Sequence, residues 1–131
     1  MNTFALRLHP KQDIKQALVQ CIKENNIKAG FILTCVGSLE RATLRMADEK
    51  VKDFQGPFEI VSLVGTLSQD GVHLHLSCSD KDGKTVGGHV KEACLVHTTA
   101  EIVIGELKDL TFSRTFDSKT GFKELVISGR E

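Results

Sequence analysis

The alternation of apolar and polar residues predicts that most of this chain forms strands. Residues 3–9 alternate, with Phe4, Leu6 and Leu8 on one side, which indicates a half-buried strand that ends at Pro10. From about residue 11 to 25 the apolar residues recur every three or four positions, as in an amphipathic helix. Further strands are predicted at 30–36, 39–46, roughly 50–55, 57–67, 72–79, 93–107, 110–116 and 124–128.

The order of these segments predicts the fold class. The run 30–36 is almost entirely apolar, which predicts a strand buried on both faces, and Gly37-Ser38 is predicted to break it. Turn residues at 69–71, 80–84 and 118–121 separate the later strands. One helix and about seven to nine strands predict a single α+β domain over residues 1–131. In it, one main amphipathic helix covers one side of a mostly antiparallel twisted sheet.

The charges of the chain argue against strong binding to DNA. Lys plus Arg and Asp plus Glu number 17 each, and no run of basic residues occurs. Proteins that bind DNA through its phosphates carry a concentrated basic surface. We therefore expect weak, non-specific DNA binding at most. A tight complex in a titration at physiological salt would contradict this prediction.

The cysteines and the hydropathy indicate a cytoplasmic protein. Cys21, Cys35, Cys78 and Cys94 include no C-x-x-C pair, so the pattern of a zinc knuckle or a thioredoxin-like site is not met. No apolar run approaches the roughly 18 residues that cross a membrane. We predict reduced, mostly buried thiols.

Three histidines are the main candidates for chemistry. Alternation places His73 and His75 on the polar side of strand 72–79, and His89 follows two glycines after the 80–84 turn. A strand returning from that turn would bring His89 alongside the other two. Three neutral imidazoles with one open position form the usual reactive zinc site, although copper, nickel and iron also accept three histidines. The alternative for an isolated H-x-H is two solvated histidines on an outer sheet face.

Other candidate residues are weaker. Glu101 shares a strand face with His97 and could orient a ligand or act as a general base, and Glu59 begins a strand. For both, a solvated or ion-paired carboxylate is the ordinary alternative. His9 is predicted to lie on the surface.

The sequence lacks four common catalytic or nucleotide-binding motifs: G-x-S-x-G, G-x-x-x-x-G-K-[ST], G-x-G-x-x-G and H-E-x-x-H.

The combination of several segments resembles the plants-and-prokaryotes conserved (PPC) domain. The matching segments are Arg7-Leu8-His9-Pro10, Gly37-Ser38-Leu39, Leu44-Arg45, Gly56 to Thr66, Val72 to Leu76, Asp82 to Val90 and Thr99-Ala100-Glu101. The resemblance implies a compact α+β domain that forms a homotrimer, with the three histidines clustered around a metal, for which zinc is favoured. In plants this domain follows AT-hook motifs in nuclear DNA-associated proteins. The core of that hook, Arg-Gly-Arg-Pro, does not occur here, so its DNA binding does not carry over.

A shorter segment is similar to the zinc-binding segment of acetolactate decarboxylase. The similarity covers Gly71 to Leu76 and Gly87 to Val90. In that enzyme three such histidines hold a zinc ion that polarises a keto-acid substrate. The enzyme is much longer than this chain, and its supporting carboxylates and arginine have no recognisable motif here. The similarity therefore extends to the three ligands alone.

Two functions follow as hypotheses. The first is a trimeric binding module whose histidines hold a metal and whose surface meets a protein partner or a small metabolite. The second is a small zinc-dependent lyase or hydrolase acting on a keto acid. In that enzyme Glu59 or Glu101 would carry protons, and Arg7 or Arg41 would hold a carboxylate. The module is favoured because no second catalytic motif accompanies the histidines. A metal-free relic of either is the third possibility.

Overall fold

Eight strands and one helix make up residues 1–130, the part of the chain that the computed structural model describes. Their bounds are β1 Asn2–Leu8, α1 Ile14–Glu24, β2 Gly30–Arg45, β3 Val51–Ser68, β4 Gly71–Ser79, β5 Thr85–Val90, β6 Leu95–Glu106, β7 Leu110–Asp117 and β8 Phe122–Gly129. The predicted antiparallel sheet is confirmed. With a single helix of 11 residues, however, the fold is more β-rich than the predicted α+β class implies.

Six of the strands form one antiparallel sheet that partly closes on itself. Its order is β1-β6-β2-β3-β4-β5, while β7 and β8 form a separate hairpin. The end of β2 also pairs with β5, through Leu44 opposite Val90 and Arg45 opposite His89. Strands β2, β3, β4 and β5 therefore form a closed ring of pairings at one end of the molecule. This closure positions the candidate site.

The helix covers one face of the sheet. Its buried side chains are Ile14, Leu18 and Ile22, which join the hydrophobic core cluster. Asp13 caps the helix: one carboxylate oxygen accepts from the Gln16 N–H at 3.1 Å and the other from the Ala93 N–H at 2.7 Å. The helix therefore begins three residues later than the periodicity alone predicted.

The predicted break at Gly37-Ser38 is wrong. The predicted strands 30–36 and 39–46 merge into the single strand β2, which ends at Arg45, and 50–55 and 57–67 merge into the single strand β3, which begins at Val51. Register shifts at Ile32/Thr34, Gly37/Leu39 and Leu39/Arg41 let β2 bend without ending. Gly37 is needed for close approach, since a Cβ there would overlap the carbonyl oxygen of Thr99.

The prediction that 30–36 is buried on both faces is also wrong. Leu33 and Val36 are 45% and 61% exposed, and on the neighbouring strand Val61 and Val64 are 58% and 54% exposed. The helix covers only one face of the sheet, so apolar residues on the other face of these strands stay accessible. An apolar run predicts residues that favour burial, but it does not tell whether they lie in the core of the chain or on a surface that could contact another chain.

Two of the four thiols are fully buried, and two are half-buried. All four are free, and burial raises the pKa of Cys35, Cys78 and Cys94 to about 11. These three thiols are therefore protonated and unreactive at neutral pH.

Among residues 1–130, no helix has the length and apolarity that crossing a membrane requires.

Candidate metal centre

The three predicted histidines come together on two neighbouring strands. In β4, Leu74 and Leu76 are buried, so His73 and His75 face away from the core, as alternation predicted. On β5, His89 lies directly opposite His75. The 80–84 turn thus returns the chain as expected, and each imidazole is held by a paired strand.

The spacing of the imidazoles fits a single metal ion. The ring centroids of His73 lie 5.0 Å from His75 and 5.1 Å from His89, and the last two are 5.7 Å apart. One ring nitrogen of each residue lies within 4.8 Å of the others. Nitrogens around a tetrahedral zinc, bound at 2.0–2.1 Å, are about 3.3 Å apart. A ring movement of roughly 1 Å closes that difference.

Two glycines bring β5 close to its neighbours. A Cβ on Gly87 would lie 2.9 Å from the carbonyl oxygen of Leu76, and one on Gly88 would lie 2.7 Å from that of Arg45. Such contacts are too short for any side chain. Strand β5 can therefore fit between β4 and the end of β2 only because these positions are glycine.

The surroundings of His73 and His89 favour the neutral imidazole, which is the form that binds metals. Burial, aided by the charge of Arg45, lowers the pKa of His89 to about 4. Burial and then Arg114 also lower the pKa of His73. The Nδ1 atom of His89 is buried and has no hydrogen-bond partner among the described residues. A neutral ring with an unsatisfied buried nitrogen suits a transition-metal ligand.

Two cavities open beside the histidines. The larger, of about 720 Å³, lies against His75 and His89, and the smaller, of about 310 Å³, lies against His73 and His75. The larger is lined by Arg45, Met46, Ala47, Glu49, His75, Gly87, Gly88, His89, Thr120 and Phe122. Sequence reasoning did not single out Arg45 as a site residue. Its position opposite His89 depends on the β2–β5 register, which no local pattern encodes.

Comparison with known proteins agrees with this architecture. The model of the Plants and Prokaryotes Conserved (PCC) domain matches residues 1–108 of the 131. The chain belongs to this family. The family predicted from the sequence is thus confirmed. The β7–β8 hairpin lies beyond the matched residues of the PCC domain.

A curated relative of this chain is a much longer protein. The chain is 46% identical over 129 residues to a protein named bifunctional protein GlmU from Synechococcus sp. (strain JA-3-3Ab). The match covers 97% of this chain and 21% of the relative. The chain thus spans about a fifth of the length of the curated relatives that it matches.

Solved structures share the whole fold. A hypothetical protein from Salmonella cholerae-suis is 44% identical, with a TM-score of 0.95 over 99% of this chain and 95% of that one. A candidate DNA-binding protein from Bacteroides thetaiotaomicron is 25% identical, with a TM-score of 0.85 over 95% and 91%. A metal-containing protein from Archaeoglobus fulgidus is 26% identical, with a TM-score of 0.78 over 96% and 94%.

The candidate carboxylates of this PCC domain lie away from the three histidines. Glu59 lies opposite Ser79, at the other end of β4 from the histidines, and lines a separate cavity of about 400 Å³ with His97. Glu101 lies on β6, opposite Arg7. The structure therefore groups Glu59 with His97 and does not bring either carboxylate into the histidine cluster.

The candidate arginines of the PCC domain have other neighbours. Arg41 forms a two-bond ion pair with Asp53, from Nε to Oδ1 at 2.9 Å and from Nη2 to Oδ2 at 2.8 Å. Arg7 lies 3.2 Å from Nδ1 of His9 through its Nη2. The arginines that act electrostatically on the histidines are instead Arg45 and Arg114.

The stability of the metal-free PCC domain should fall as the pH drops below 6.5. The unfolded chain takes up a proton at His89 near pH 6.5, whereas the folded chain does so only near pH 4. Between these values the unfolded state binds more protons, so acid favours unfolding. This contribution is complete above pH 6.5 and is lost as the pH approaches 4.

Urea unfolding in EDTA at a series of pH values measures this effect. The informative part of the range is pH 6.5 to 5, where unfolded carboxylates remain mostly ionised. In His89→Gln, the free energy of unfolding should change less steeply with pH over this range. Identical slopes for this variant and the wild type would contradict the assignment to His89.

Proposed function

We propose that this chain is a metal-binding PCC domain that forms a homotrimer and acts as a binding module. His73, His75 and His89 would hold the metal. The observation that carries the proposal is the approach of three imidazole nitrogens to within 4.8 Å, one imidazole having a buried nitrogen without a partner in residues 1–130. The metal-containing relative from Archaeoglobus fulgidus supports it.

Zinc is the metal that we propose. Three neutral nitrogen ligands with space for one more suit zinc, and they also accept copper, nickel or iron. Cys78 is fully buried in the core on the opposite face of β4, so a thiolate does not contribute. A bound zinc would supply a Lewis acid for an oxygen ligand.

The trimer should be visible in sedimentation. A trimer of 14.4 kDa chains has a mass of about 43 kDa, and the exposed Leu33, Val36, Val61 and Val64 offer an apolar surface for it. Replacing both Val61 and Val64 by Lys should yield monomers, because the contact would then bury unpaired charges. The control is Val51→Lys, a change at a valine of similar exposure on the same strand. A monomeric wild type, or a trimeric double variant, would contradict this assembly.

A small zinc enzyme acting on a keto acid is the second candidate function. The cavity of about 720 Å³ beside His75 and His89 favours it, because a substrate could reach an open metal position there. Zinc-loaded protein incubated with a panel of keto acids separates the two functions. Turnover that is lost in His75→Ala would establish the enzyme, and its absence across the panel would favour the module.

DNA association is a weaker candidate. The relative from Bacteroides thetaiotaomicron raises it. The zero net charge of this chain, and the lack of a basic run, argue against affinity through phosphates. A DNA titration at physiological salt tests this association directly.

A further inference from the structure

Arg45 is a half-buried arginine beside the histidines that has no acidic partner among residues 1–130. Elsewhere in the described residues, Arg41 pairs with Asp53 and Arg130 pairs with Glu106. Within residues 1–130 the guanidinium of Arg45 forms neither an ion pair nor a hydrogen bond. A partly buried cation without a partner is a common feature of sites that bind anions.

Arg45 is positioned by its backbone pairing and by one contact of its side chain. Its backbone lies opposite His89 across the β2–β5 pairing. Its guanidinium carbon lies 5.3 Å from the centre of the Phe122 ring, which is within the range of a cation–π contact. Stacking on the ring restricts the guanidinium but leaves its N–H edge available. An anion would therefore meet a donor group that is already oriented.

The charges facing the cavity favour an anionic ligand. Among the described residues that line it, Glu49 is the one carboxylate, and Glu49 is exposed. Arg114, bonded through Nη2 to the Thr66 hydroxyl at 2.9 Å, adds positive charge near His73. Glu124 also acts on His73, with the opposite sign. Neutral imidazoles would leave the full charge of a divalent metal in place, so the site as a whole would be positive.

We propose that the cavity between Arg45 and the histidines binds a small carboxylate anion, with Arg45 holding the carboxylate beside the metal position. This proposal deepens the proposed metal-binding function and depends on it. A planar carboxylate matches the flat edge of a guanidinium through two parallel hydrogen bonds. In the part of the chain that the structure describes, no lysine lines the cavity and Arg45 is its one arginine, so the cluster of cations typical of phosphate sites is not formed there. The chemistry therefore favours a carboxylate over a phosphate.

The part of the cavity wall that lies against Arg45 comes from the C-terminal hairpin. Thr120 and Phe122 line the cavity, and both lie beyond residues 1–108, which match the PCC family. The shared domain would thus supply the metal ligands and Arg45, while the hairpin would orient Arg45 and limit the size of the ligand. Residues of the hairpin should therefore tune ligand choice without changing metal affinity.

Cobalt-loaded protein offers a test that does not depend on activity. The visible spectrum of bound Co²⁺ reports ligands near the metal, and it is titrated with pyruvate, acetate or inorganic phosphate. We expect a saturable change with pyruvate. In Arg45→Gln the dissociation constant for pyruvate should rise about tenfold or more, because a charge-assisted contact is lost. Arg41→Gln, which removes an arginine from the same strand, should bind as the wild type does.

The outcomes separate this inference from the metal site itself. If the wild type binds no cobalt, both proposals fail. If cobalt binds but pyruvate titrates Arg45→Gln and the wild type alike, only the role of Arg45 fails. Tighter binding of phosphate than of pyruvate would overturn the carboxylate assignment. Should Arg45→Gln not fold, Arg45→Lys replaces it: the charge is kept and the planar fork is lost, so weaker pyruvate binding is again expected.

Discussion

Replacing His73 and His75 together by Ala should reduce the zinc content from about one ion per chain to nearly none. The two imidazoles lie on one face of β4, and their removal would leave His89 as a single nitrogen ligand. One imidazole does not retain a zinc ion against dialysis. The measurement is elemental mass spectrometry of protein purified without an affinity tag.

Single substitutions show whether the loss is specific to the cluster. His75→Ala should lower zinc content strongly, while His97→Ala and His9→Ala should leave it unchanged. His97 lines the separate cavity with Glu59, and His9 contacts Arg7 on the surface. Equal zinc content in all three variants would rule out the three-ligand site. A wild type without zinc, even after zinc is offered, would leave the histidines as a surface feature.

Thermal unfolding gives a second readout of the same site. A metal that binds the folded chain stabilises it in proportion to the logarithm of its concentration over Kd. Zinc should therefore raise the Tm of the wild type and not that of the His73→Ala/His75→Ala variant. A rise of equal size in both would place the zinc outside the histidine cluster.

Local patterns were sufficient to predict that His73 and His75 share one face of β4 and that His89 lies beside them. Alternation fixed the faces of β4, since Leu74 and Leu76 have to be buried and His73 and His75 then cannot be. The 80–84 turn is short enough that the next strand must pair with β4. These relations depend on residues close in sequence, so the sequence alone contains them.

Relations between distant strands could not be predicted in this way. The β2–β5 pairing brings Arg45 and His89 opposite each other, although the two residues lie far apart in the sequence. The ion pair of Arg41 with Asp53 likewise depends on the register of β2 and β3. Residue type alone had made Arg41 a candidate for holding a carboxylate, and residue type carries no information about such registers.

Gly88→Ala should both destabilise the fold and weaken zinc binding. A methyl group there would lie 2.7 Å from the carbonyl oxygen of Arg45 and 2.8 Å from Cε of Met46. The methionine can move, but the backbone oxygen belongs to the paired strand, so β5 has to shift. Overpacking of this kind costs about 1–3 kcal/mol of unfolding free energy. Because His89 follows directly in the chain, the same shift should displace one of the three ligands.

The two effects are measured separately, by urea unfolding in EDTA and by zinc titration of the folded protein. The backbone angle of Gly88 lies outside the left-handed region, so the effect of alanine is steric and not a loss of conformational freedom. Gly129→Ala is the matched control, because a Cβ there would meet nothing within 4 Å. If Gly88→Ala lost stability but bound zinc as tightly as the wild type, His89 would not depend on the β2–β5 closure. If both fell together, Gly88 would support the metal site, because it sets how closely β5 approaches the end of β2.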